Sequence, residues 1–218
     1  MNKIKSILFD LDGTFIDSSM DICVALNRVL LEHKFNVVDC SELKYHISKG
    51  AVGIIEYASK VNGKSIDSSL LRSEFLQEYS KNCFVHTKMI DDMSELIKFI
   101  ENKNMKWGIV TNKHSKYANK IIEGLSLTNK IHCLITGDMV DNPKPSPEGL
   151  LKALIELKIN PNEILYLGDD ERDVLAAKDA GMMTGVANFG FIEDFEDIKL
   201  WDPDIVIYNP KDLIQYLS

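Results

Sequence analysis

The 218-residue sequence predicts an α/β fold: a parallel β-sheet core interrupted near its start by a block of helices. Three observations carry this. Short, continuous apolar runs recur along the chain. Helical apolar stripes separate the later runs. One stretch, residues 18–84, carries helical stripes and no clear strand. Apolar runs without alternation mark strands buried on both faces.

Taken in order, the first run is 4–9, with Ile7-Leu8-Phe9 at its centre, and the later ones are 106–110, 133–135, 164–167 and 205–208. Between them the spacing predicts helices over 94–101, with Leu96, Ile97 and Ile100 on one face, and over 115–123, 147–157 and 172–180. Pro147 suits a first helical turn and Gly181 a helix stop. Such alternation gives a Rossmann-like parallel sheet with helices on both faces. Within 18–84, Ile22, Ala25, Leu26, Val29 and Leu30 form one stripe, and Leu70, Leu71, Phe75, Leu76 and Tyr79 another. The block leaves the sheet directly after an acid-rich loop and returns near His86. The expected organisation is therefore a core of 1–17 with 85–218, and a helical cap of 18–84 over the mouth of a site.

Composition narrows the class. A hydrophobic content of 45% and a charged content of 27% describe an ordinary globular protein. A net charge of −8 argues against nucleic acid or an anionic membrane as partner, because either favours a basic face. No run approaches the ~18 apolar residues of a membrane span. The expected setting is cytoplasmic, as a monomer or homodimer acting on a small molecule. Cys23, Cys40, Cys83 and Cys133 are widely spaced without a CxxC pair. They read as reduced, mostly buried thiols, neither a disulfide frame nor a zinc site.

The chemistry-bearing positions fall at the ends of expected strands, where ligands bind in open parallel sheets. Asp10-Leu11-Asp12-Gly13-Thr14 ends the first run. Asp10 is placed to attack and Asp12 to handle a proton. Thr111-Asn112 ends the second, where a hydroxyl and free backbone N–H groups can hold a phosphoryl oxygen. Lys144, between Pro143 and Pro145, supplies an ammonium to neutralise a phosphate and a carboxylate. Gly168-Asp169-Asp170-Glu171-Arg172-Asp173 follows the fourth run, and its acids can complete an oxygen site for Mg²⁺. This set suits phosphoryl transfer through an aspartyl-phosphate.

At these four motifs the chain resembles the haloacid dehalogenase superfamily of aspartate-nucleophile phosphatases. The resemblance spans nearly the whole chain, the helical insert being similar to that family's type 1 cap. It implies Mg²⁺ held by the Asp10 carboxylate, the Asp12 carbonyl and the Asp169 carboxylate, with Asp173 orienting Lys144 or a metal-bound water. Asp170 is additional to the motif and its role is open. Residues 10–18 with 169–182 resemble the phosphoglycolate phosphatase group. The segment 107–113, the Gly-Asp-Asp-x-Arg-Asp motif at 168–173, and the tail 188–192 with Trp201 and Asp204 resemble the N-acetylmuramic acid 6-phosphate phosphatases.

Each position also has a plainer reading. An isolated Asp-x-Asp-Gly-Thr is often a capped turn; three partners in order make that the weaker account here. Thr111 alone divides evenly between cap and ligand, and Lys144 alone reads as a surface lysine. Asp170, Glu171 and Asp173 also suit a helix N-terminus. In the cap, Lys49 within 46–51 either reaches a substrate's acid group or is a helix-terminal lysine beside a capping glycine. The five histidines show no ligand spacing. The expected function is a Mg²⁺-dependent phosphomonoesterase for a small carboxylated phosphate ester of the 2-phosphoglycolate type. The alternatives are N-acetylmuramic acid 6-phosphate as substrate, a sugar-phosphate mutase, and, from another class, a phospho-acceptor signalling domain.

Overall fold

The computed structural model describes residues 4–63, 68–193 and 195–218. In chain order the elements begin with β1 (Ser6–Phe9), β2 (Ile16–Asp17), α1 (Ser19–Glu32), α2 (Cys40–Leu43), α3 (Gly50–Asn62) and α4 (Ser68–Lys81). The middle of the chain forms β3 (Lys88–Met89), α5 (Met93–Asn102), β4 (Lys106–Val110), α6 (Ser115–Gly124), β5 (Leu134–Ile135) and α7 (Glu148–Leu157). The last elements are β6 (Ile164–Gly168), α8 (Glu171–Asp179), β7 (Met183–Ala187), α9 (Phe195–Trp201), β8 (Ile205–Ile207) and α10 (Pro210–Leu217). The chain separates into two compact units, one comprising the described residues up to Ile16 with Met89–Ser218, the other Asp17–Lys88.

The first unit is built on a six-stranded sheet of order β5-β4-β1-β6-β7-β8 in which every pairing is parallel. The chain builds outward from β1 through β4 to β5, then crosses and builds outward through β6 to β8. The C-terminal ends of β1, β4 and β6 therefore meet at the point where the strand order reverses. Side chains alternate between two apolar layers. Ile7, Phe9, Trp107 and Leu167 pack with Met93, Leu96, Ile121 and Leu213. Leu8, Val110 and Tyr166 pack with Leu150, Ala153, Ala176 and Ala177 on the other face. Trp107 is fully buried, its ring stacked on Phe15 at 5.6 Å between centroids.

The expected helices are present with ends shifted by a residue or two. Pro147 stands just before α7, and Gly181, at φ +73°, follows α8. β7 lies outside the expected strands, because Thr184 and Gly185 interrupt its apolar run. No helix among the described residues is long and apolar enough to cross a membrane.

The second unit contains α1 to α4 and, among its described residues, no strand between 18 and 84. Residues 64–67 of the expected cap and 1–3 and 194 of the expected core lie outside the described residues. The reading of four free thiols is corrected here. Cys23 and Cys40 form a disulfide with Cα atoms 5.5 Å apart. Spacing along the chain concealed this. The side-chain amide of Asn27, one turn beyond Cys23, donates to Val38 O and accepts from Val38 N, drawing the segment before α2 onto α1. Cys83 and Cys133 are buried and take no part in the disulfide, and burial pushes the Cys133 thiol up to about 12.

The unit extends past 84 because a buried carboxylate fastens the returning chain. Asp21, in the first turn of α1, accepts hydrogen bonds from the backbone N–H groups of Val85, His86 and Thr87 at 2.9 Å each and from the Thr87 hydroxyl at 2.7 Å. Burial opposes its charge, but these donors outweigh burial and hold the carboxyl below its usual range. A depressed folded-state pKa gives stability that is fully present above the unfolded value of about 3.9 and is lost as pH falls through the folded value. Asp21→Asn keeps the shape and loses charge and acceptor capacity. It is expected to cost on the order of 1–3 kcal/mol at pH 7 and progressively less in acid, measured by urea unfolding across pH.

Candidate active site

Each site residue is carried by a strand end or a clamped loop. The Asp10 backbone N–H donates to Leu167 O at 2.8 Å, extending the β1–β6 pairing one residue beyond the strand. Thr111 follows β4, and its N–H donates to Ile135 O at 2.9 Å. That N–H is thus used by the sheet, and the Thr111 hydroxyl accepts from Lys113 N at 3.2 Å. The expectation of a free N–H group is corrected for Thr111. Lys144 lies in the loop between β5 and α7, and two clamps fix this loop. The Asn112 side chain donates to Lys144 O and accepts from Lys144 N, both at 2.9 Å. Glu148 accepts from the N–H groups of Asp141 and Asn142, which hold its carboxyl down at about 2. The Lys144–Pro145 peptide is cis.

The Lys144 ammonium is buried and donates to Asp10 Oδ1 at 2.6 Å, Asp173 Oδ1 at 2.6 Å and the Tyr166 hydroxyl at 2.7 Å, with Val110 O more distant at 3.2 Å. Burial disfavours its charge, but Asp10 and Asp173 outweigh burial and hold the ammonium above its ordinary pKa. Tyr166 OH in turn donates to Val110 O at 2.8 Å. Asp173 reaches Lys144 because α8 begins with a capping box: Asp170 accepts from Arg172 N, and Asp173 Oδ2 accepts from Asp170 N. The open role of Asp170 is resolved locally: it caps α8 and pairs with the Arg172 guanidinium at 2.7 Å.

Asp169 follows β6 and is seated by Thr14 Oγ1, which donates to its Oδ1 at 3.2 Å, and by Phe191 N, which donates to its Oδ2 at 2.8 Å. A Cβ on Gly13, at φ +84°, would lie 2.1 Å from Asp169 Oδ2, and one on Gly190 would lie 2.5 Å from Asp169 Cβ. Both glycines leave the space this carboxylate fills. Burial, then the charges of Asp10 and Asp173, push the Asp169 carboxyl well up. Burial likewise raises Asp10, against the pull of Lys144, to about 6.

Oxygens of Asp10, Asp169 and Asp173 lie within 4.8 Å of one another. Three buried carboxylates around one ammonium leave an excess of negative charge that a hard divalent cation would neutralise. Asp173 has both oxygens engaged, Oδ1 by Lys144 and Oδ2 by Asp170 N, which leaves Asp10 and Asp169 as the side chains suited to hold such an ion.

Three partners were not singled out from the sequence. Tyr166 reads as a core strand residue. Thr14 belongs to the first motif without a stated job. Lys113, whose ammonium contacts both oxygens of Asp12 at 2.9 and 3.0 Å, reads as a loop lysine. Lys49 lies in the other unit, exposed and immediately before α3, so it begins a helix rather than ending one.

The chain is similar to known proteins in sequence and in fold. The haloacid dehalogenase-like hydrolase profile matches residues 7–187. The N-acetylmuramic acid 6-phosphate phosphatase of Pseudomonas putida is 35% identical over 211 residues, 97% of this chain and 95% of its own. The phosphoglycolate phosphatase of Xanthomonas campestris pv. campestris is 31% identical over 209 residues, 96% of this chain and 94% of its own. A crystal structure described as a predicted phosphoglycolate phosphatase from Haemophilus somnus matches with a TM-score of 0.89 over 100% of both chains at 21% identity, a likeness of fold.

The raised Asp169 carboxyl gives a stability test. Its folded pKa lies above the unfolded value, so its contribution is fully present below about pH 3.9 and is lost as pH rises through the folded value. In protein freed of divalent cations with EDTA, Asp169→Asn is expected to raise stability at pH 8 by on the order of 1–3 kcal/mol. The gain should vanish toward pH 4, as read by thermal melting.

Proposed function

The chain belongs to the haloacid dehalogenase-like hydrolase family, and from that premise we propose that it is a Mg²⁺-dependent phosphomonoesterase for a small phosphate ester bearing a carboxylate. The observation that carries this is the disposition of Asp10. Its Oδ1 is held by Lys144 at 2.6 Å, and its Oδ2 has no hydrogen bond among the described residues. Asp10 Oδ2 attacks phosphorus, forming the aspartyl-phosphate as the ester P–O bond breaks. The electron pair leaves with the ester oxygen, which takes a proton from Asp12. Asp12 then accepts a proton from the water that attacks phosphorus, and the Asp10–phosphorus bond breaks to release phosphate.

In this reading Asp10, Asp169 and the Asp12 carbonyl would hold Mg²⁺, which supplies positive charge against the repulsion between carboxylate and phosphate. Lys144 and the Thr111 hydroxyl bind phosphoryl oxygens, and Asp173 orients Lys144. Asn112 acts chiefly by holding the Lys144 loop. The unit Asp17–Lys88 is the cap, with Lys49 the candidate partner for the substrate's carboxylate, and the setting is cytoplasmic.

Two esters follow from the relatives. N-acetylmuramic acid 6-phosphate comes first, because proteins named for it are 35% and 33% identical over nearly the full chain. 2-Phosphoglycolate is second, through relatives at 31%. With Mg²⁺ and no added bisphosphate, the expected result is phosphate release with a higher kcat/KM for the amino-sugar acid. Asp10→Asn should lower it by a factor of roughly 10³ or more, and EDTA should abolish it reversibly. Preference for 2-phosphoglycolate transfers the assignment to that ester. Undiminished activity in Asp10→Asn, or turnover only with a bisphosphate present, overturns the hydrolytic mechanism.

A further inference from the structure

The Lys113–Asp12 pair has no part in the mechanism given so far. Lys113 lies between Asn112 and α6, and its side chain is only 8% exposed, against 15% for Asp12. Its backbone is pinned on both sides. Lys113 N donates to Thr111 Oγ1 at 3.2 Å, and Lys113 O accepts from Gly137 N at 3.0 Å. Gly137 must be glycine for this approach, since a Cβ there would lie 2.3 Å from Asn112 O. The ammonium spans both Asp12 oxygens at 2.9 and 3.0 Å. A carboxylate gripped at both oxygens loses rotation about its terminal torsion as well as translation. The motif that ends β4 thus reaches the proton-handling acid through Lys113, besides reaching the phosphoryl group through Thr111.

We propose that Lys113 is a positioning residue that fixes the orientation of the Asp12 carboxyl group, which gives its proton to the leaving oxygen and regains one from the attacking water. The inference rests on the acid–base role of Asp12 given above. A cation that only stabilised the loop would affect all substrates alike. One that orients the proton donor should matter most when the departing oxygen is basic and needs the proton as the P–O bond breaks.

The test compares phenyl phosphate with 4-nitrophenyl phosphate, which differ in the acidity of the departing phenol and little in shape. The quantity followed is kcat/KM, which covers the steps up to leaving-group departure. In Lys113→Met the phenyl to 4-nitrophenyl ratio is expected to fall about fivefold or more relative to the unaltered enzyme, with Lys113→Arg restoring much of it. Asp12→Asn should show the same selective loss, and adding Lys113→Met to Asp12→Asn should change the ratio by less than about twofold. Thermal melting of each variant controls for folding, and Lys113→Gln, which also removes the cation, keeps the test open if Lys113→Met does not fold. An unchanged ratio in the charge-removing variant that folds, with Asp12→Asn still selective, overturns the positioning role alone. An unchanged ratio in Asp12→Asn itself overturns the acid–base reading on which it rests.

Discussion

The buried Lys144 ammonium is the interaction on which the geometry of the core unit depends. Asp10 and Asp173 arrive from β1 and α8, and each contacts it at 2.6 Å. Without that charge two carboxylates would face each other in a medium that solvates neither, and strand end and helix start would be driven apart. Much of the surrounding structure serves to deliver this one group. Asn112 and Glu148 clamp its loop, Tyr166 occupies a third donor, and the capping box of α8 turns Asp173 toward it. Neutralisation is incomplete. Asp169 sits beside the pair with its carboxyl pushed up by burial and by its neighbours.

The fold was legible where burial leaves a simple trace. Strands covered on both faces must be apolar throughout, so β1, β4 and β6 stand out from residue type alone. β7 did not, because Thr184 is satisfied by Asp204 at 2.7 Å and 2.8 Å, a partner twenty residues away that no local pattern reveals. The site was legible in its acids for a related reason. Two carboxylates at a strand end are costly unless something uses them, so Asp10, Asp12 and Asp169 attract notice before any geometry is known.

What the sequence concealed is long-range pairing. Tyr166 is one more large residue in an apolar strand until its hydroxyl is seen between Lys144 and Val110 O. Lys113 is an ordinary loop lysine until parallel pairing sets β1 and β4 side by side, with Asp12 and Lys113 just past their ends. The Cys23–Cys40 bond is hidden similarly, since its proximity is set by Asn27 gripping Val38 and not by cysteine spacing. Asp170 shows the opposite case: a position beside a chemical motif whose observed contacts are those of a helix cap.

The chain crosses between its two units within β2 and again within β3, and these two strands pair with each other. Departure and return are therefore neighbours regardless of how much polypeptide lies between them. Closing a longer excursion costs only about 0.6 kcal/mol for each doubling of its length, so the size of the inserted unit is nearly uncoupled from the stability of the sheet. Such a junction behaves like a socket. The intervening segment can be lengthened, shortened or exchanged for another in evolution or in a chimera, while the strand ends that bear Asp10, Thr111 and Asp169 keep their register.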